Sequence, residues 1–135
     1  MTSPDQMEAG PRAAAISNAM VQLLHEYTGR GPTRARTTIG DDLIVCVLAD
    51  TLTKSERKLV DAGEEALVLQ ERSTFQRLMR EEAIAEIEKL SDRTVMAFMS
   101  TNHIEPDLAV ETFVLAPLRQ DAAADPGVPK GGWPT

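Results

Sequence analysis

Cysteine is nearly absent. Cys46 stands alone, so no intrachain disulfide can form. That fits a reducing compartment, and a cytoplasmic location is the expectation. Aromatics are scarce: one Trp, one Tyr and three Phe. The core must therefore be aliphatic and methionine-rich, which makes it adaptable. Long apolar runs are missing too. The longest, Leu43–Ala49, is far short of the roughly 20 residues a spanning helix needs. No direct membrane insertion is expected, and work at a membrane would go through a partner. The start, MTSPDQMEAGPR, is polar and acidic, unlike the basic-then-apolar opening of a signal peptide. Positive charge is also in deficit. The formal charge of −7 opposes binding to a phosphate backbone, so nucleic acid is not an expected partner.

A catalytic set is lacking as well. His25, His103 and Cys46 are the soft metal ligands, and they are far apart without ligand spacing, so no metal site is expected. Cys46 lies inside an apolar run and reads as a small buried hydrophobe. Asp41-Asp42 could look like paired acids, but adjacent turn residues usually cap and bend the backbone. No nucleophile–base pair is visible. The sequence names no catalytic residue and no cofactor, and an enzyme is not the expectation.

What is present suits one domain with a real core: 135 residues, 42% of them hydrophobic. Residues 1–10 read as a flexible arm. Pro11 suits a first helical turn. Ile16, Met20, Leu23, Leu24 and Tyr27 then mark one helical face, which Gly29 and Gly31-Pro32 end. Thr33–Ile39 alternates like a half-exposed strand, Gly40-Asp41-Asp42 is a turn, and Leu43–Leu48 is apolar throughout, like a strand covered on both faces. Thr53-Lys54-Ser55-Glu56 has the form of a capping box opening a short helix.

Glu64 to about Leu90 carries a helical stripe of Val68, Phe75, Met79, Ala83, Ile87 and Leu90, with a break possible around Gln70–Thr74. Arg72 falls on that stripe. Either it snorkels from the helix edge or it is buried and paired, with Asp42, Asp50 and Glu56 as candidate partners. Thr94–Ser100 and Leu108–Leu115 form a second hairpin. Residues 118–135, rich in Pro, Gly and Ala, read as a disordered tail. The expected fold is α+β: a four-stranded antiparallel sheet from two hairpins, with the long helix on one face and an N-terminal helix.

One stretch carries a possible ligand site. Gly29–Arg36 (GRGPTRAR) sets Arg30, Arg34 and Arg36 among two glycines without an acid. It is either a solvated strand face or a small-anion site, to which Arg72 could contribute.

Several features form an ordered set: Gly29-Arg30-Gly31-Pro32, Gly40-Asp41-Asp42 before LIVCV, Leu52-Thr53-x-x-Glu56, Arg72, and Leu90-Ser91-Asp92-Arg93-Thr94-Val95. Together they resemble the MpsC-like family, formerly a bacterial domain of unknown function. The resemblance runs from about Ala14 to Leu115, within a single domain of residues 11–117. Gly31, Pro32, Asp42, Thr53, Glu56 and Arg72 carry it. Where family members often have glycine after Leu-Thr, this chain has Asp92 after Leu90-Ser91. The resemblance implies an accessory protein of a sodium-translocating, membrane-potential-generating system that supports inorganic-carbon uptake, with no catalytic residue to carry over. The function expected is thus a non-catalytic accessory or regulatory protein, with a membrane transporter complex as a candidate partner and a small-anion sensor as the alternative. Apolar residues on both sheet faces further predict a homodimer, through sheet faces or first helices.

Overall fold

The computed structural model describes residues 4–118. Its elements are α1 (Pro4–Thr28), β1 (Arg34–Ile39), β2 (Leu43–Ala49), α2 (Lys54–Asp61), α3 (Glu65–Ser91), β3 (Val95–His103) and β4 (Leu108–Leu115). The strands form one antiparallel sheet in the order β1-β2-β4-β3, so the two hairpins meet through β2 and β4. This is the α+β arrangement expected from the patterning.

Local chemistry explains the element ends. α1 begins at Pro4, earlier than expected, so Pro11 lies inside the helix rather than in its first turn. Asp5, Gln6, Glu8 and Ala9 permit that extension, and Pro11 removes one backbone donor from the ladder. Of the arm read at residues 1–10, the first three lie outside the described residues; of the tail read at 118–135, all but Leu118 do. Gly29 closes α1 at φ 78, its N–H donating to His25 O at 2.8 Å. α2 ends in a Schellman motif around Gly63, with Glu64 N–H on Leu59 O and Gly63 N–H on Val60 O.

α3 runs unbroken for 27 residues, so the break near Gln70–Thr74 does not occur. The Thr74 hydroxyl donates to Gln70 O and stays within the helix. At its C-terminus Asp92 adopts φ 57, the left-handed conformation that glycine most readily takes.

Both long helices lie on the same side of the sheet. Ile16, Met20, Leu23 and Leu24 of α1 pack with Met79, Ala83 and Ile87 of α3 over Ile44, Cys46, Leu48, Ala109, Phe113 and Leu115. α3's buried stripe is Val68, Arg72, Gln76, Met79, Ala83 and Ile87. Gln76 therefore takes the inward place expected of Phe75, which is half-buried and outside the core clusters. A smaller cluster of Leu52, Val68 and Ile104, with Leu59 and Val60 beside it, seats α2.

The second sheet face carries no helix among the described residues. Register and alternation place Thr38, Val45, Thr112 and Met99 in one row across it. Arg36, Val47, Val110 and Thr101 form the next row, and Leu43, Val114 and Ala97 another. Met99 is 52% exposed, while Val45, Val47 and Val110 are half-buried among their neighbours. α1 does not cover this face, and Ile16, Met20, Leu23 and Leu24 of its apolar stripe are packed in the core.

Candidate functional site

Thr53, Glu56 and Arg72 collect where β2 leaves the sheet and α2 and α3 begin. Thr53 caps α2: Glu56 N–H donates to its hydroxyl at 3.1 Å, and Thr53 N–H donates back to Glu56 Oε1 at 2.8 Å. The capping box read from the sequence is therefore real. Glu56 Oε1 also receives Arg72 Nη1 at 3.3 Å, and the same nitrogen donates to Thr51 O at 3.1 Å. Arg72 and Glu56 are 2% and 1% exposed, so of the two readings of Arg72, buried and paired is the one observed.

Asp107 completes this polar knot from the β3–β4 turn. Its Oδ1 accepts from Thr51 N–H and the Thr51 hydroxyl, and its Oδ2 accepts from Leu52 N–H and Arg57 Nη2, all at 3.0 Å. The loop after β2 is thus bound by carboxylates from both sides. Glu71 lies alongside, its carboxyl pushed up by partial burial and by the neighbouring Glu56 carboxylate, with Arg72 pulling the other way. The arrangement fixes a loop, and Glu56 Oε2 is the one carboxylate oxygen of the Glu56 and Asp107 pair without a hydrogen bond.

The other motif residues are structural too. Pro32 is buried, and a Cβ added at Gly31 would sit 3.6 Å from the His25 ring. Asp42 O accepts Leu115 N–H at 2.8 Å, tying the first turn to the end of β4. Gly40 N–H donates to Leu43 O, so Asp41-Asp42 is a turn, as its composition indicated.

The four arginines do not converge. Arg30 Nε donates to Asp50 O at 3.0 Å. Arg34 and Arg36 stand exposed on the uncovered sheet face, with no hydrogen bond or ion pair among the described residues. Arg72 is buried at the knot, on the side of the sheet that the helices cover. A common anion site of all four is not assembled.

Sequence reading missed two buried acids. Asp107 is one. Glu111, 4% exposed in β4, is the other, and it faces the core between Met79 and Ala83 of α3 and Leu48 of β2. Its pKa is raised to about 7 by burial, with Ser100 and Arg72 acting in the opposite direction. Its Oε2 makes no hydrogen bond, and the Ser100 hydroxyl, paired across the strands, is the polar group that lies beside the carboxyl. The parity of β4 held the signal, because Glu111 alternates in step with Ala109, Phe113 and Leu115. Cys46 is fully buried and its thiol is pushed up, first by burial and also by Glu111, so it behaves as a core side chain.

Among the described residues there is no cluster of three or more His, Cys, Asp or Glu that could hold a metal. No helix of those residues is long and apolar enough to cross a membrane. No curated protein and no solved structure matches the chain. A family model described as "Na+-translocating membrane potential-generating system (MpsC)" matches residues 8–117. That span takes in the capping box, the Glu56–Arg72 pair, the Asp107 anchor and the whole sheet, and the chain belongs to the MpsC family.

Proposed function

We propose that this chain is a non-catalytic accessory protein that works by binding another protein of a sodium-translocating, membrane-potential-generating system. The uncovered sheet face carries the reading. Leu43, Val45, Val47, Val110 and Met99 give an apolar surface, bordered by threonines, on the side away from both long helices. Isolated domains rarely leave such a surface unpartnered. The family name supplies the system, and the lone free cysteine supports a cytoplasmic setting.

The test is co-purification with the membrane subunits of such a system, comparing the native chain with the double variant Thr38→Glu/Met99→Glu. Both side chains are exposed on the face, so the fold should tolerate them. Recovery of the membrane subunits should fall at least tenfold while the melting temperature stays within a few degrees. Equal recovery of both proteins rejects this face as the docking surface.

A homodimer is the second reading, favoured by the same uncovered face. A two-fold axis along the strands would set β1 of one copy over β3 of the other, which keeps each Arg34 and Arg36 away from its symmetry mate. Light scattering at micromolar concentration decides it. A monomer mass that does not change on dilution removes the dimer.

A further inference from the structure

The strongest unassigned feature lies on the helical side of the sheet, at its β3 edge. Ser73, Gln76, Arg77 and Arg80 of α3 face Phe98 and Ser100 of β3 across an open cleft of about 220 Å³. Its chemistry differs from that of the docking face: two guanidiniums, two hydroxyls, one amide and one aromatic wall, with no acid lining it.

Each group has capacity to spare. Arg77 is exposed and makes no hydrogen bond or ion pair among the described residues. Arg80 lies over the Phe98 ring, 5.7 Å from its centroid, and donates one Nη1 bond to Phe98 O at 3.3 Å. Those contacts orient the guanidinium and leave further N–H groups free. Phe98 is itself held by stacking on Phe113, centroids 4.9 Å apart. Gln76 is only 9% exposed, yet its amide has no partner among the described residues and borders the cleft. The Ser100 hydroxyl is buried beside the Glu111 carboxyl, behind the cleft wall. Buried polar groups are normally satisfied, so an unpartnered, nine-tenths-buried amide beside two cations calls for a polar ligand.

We infer that the α3–β3 cleft is a binding site for a small oxyanion, a phosphate or carboxylate group, held by Arg77 and Arg80 and received by the Gln76 amide and the Ser73 hydroxyl. Two cationic forks beside neutral donors match the acceptors of such a group, whereas a cation would meet repulsion. The volume suits an ion or a short acid. The arginines that the sequence brought forward, Arg34 and Arg36, lie on the opposite face and play no part.

The test is titration of the full chain with inorganic phosphate and, separately, with acetate. It is followed by calorimetry and by NMR of the Gln76 side-chain amide and the Ser100 backbone N–H. Saturable shifts at both positions are expected with at least one probe. Arg77→Gln should weaken that binding about tenfold, the size of one lost charge-assisted bond. It removes no contact of the fold, so the melting temperature should hold. Arg34→Gln/Arg36→Gln should leave binding unchanged. Phosphate alone would assign a phosphoryl ligand, and acetate alone a carboxylate. No saturable shift with either probe, or equal affinity in Arg77→Gln, overturns the site.

Discussion

Glu56 and Glu111 are both buried carboxylates, and the fold treats them in opposite ways. Glu56 has a guanidinium, a backbone N–H and a capped helix around it. Glu111 has apolar neighbours, the Ser100 hydroxyl beside it and a pKa of about 7. The first acid is neutralised by an opposite charge. The second has its charged form disfavoured by burial. Burial alone therefore does not say whether an acid ties a fold together or strains it; the nearest cation does.

The largest test of this contrast removes the cation. Arg72→Ala should lower stability by roughly 3–5 kcal/mol, because it strands a buried carboxylate and opens a cavity. Arg72→Met should be less damaging, since methionine refills the volume of the stem. Urea denaturation measures both, and equal negligible effects would mean that Arg72 is solvated.

The second test acts on Glu111. Its pKa is raised in the fold from an ordinary value of 4.5 to about 7, so the native state holds a proton that the unfolded chain releases. Stability from this group is full below about pH 4.5, declines as pH rises, and is lost above about pH 7. The span is about 3 kcal/mol. Glu111→Gln should therefore be more stable than the native chain at pH 8 and nearly equal to it at pH 4.5. Identical melting curves at both pH values would show that Glu111 is paired or hydrated.

The smallest effect belongs to the cap. Thr53→Ala should cost about 0.5–2 kcal/mol, and Glu56 should keep its Arg72 contact. A denaturation midpoint unchanged within error would detach the capping box from stability.

How much of this was legible follows from range. The Thr53–Glu56 box lies within one turn of chain, and periodicity placed the four strands. Arg72 stood out because a charge interrupted an apolar stripe. Its partner needed tertiary structure, since Glu56 belongs to a separate helix, and three candidates remained. Asp107 gave no local cue, because its partners Thr51, Leu52 and Arg57 are distant in the chain. The exchange of Phe75 for Gln76 in the stripe has a similar cause. Both positions are compatible with an inward helical face, and contact with β3 and β4 decides between them. The arginines of Arg30–Arg36 were close in sequence, but strand alternation and the Asp50 contact separated them.

The sheet order also shapes how the chain must fold. Its two central strands, β2 and β4, come from different hairpins, with α2, α3 and β3 between them in sequence. Their pairing is a long-range step, which slows folding relative to a helical bundle. α3 can form locally and, at 27 residues, is a rod about 40 Å long that brings the second hairpin back beside the first. During synthesis β2 leaves the ribosome with one edge open, and that edge stays open until Leu108–Leu115 is made. A chain halted before Leu108 would present Leu43–Ala49 as an unprotected apolar edge strand, the form most prone to pairing with another copy.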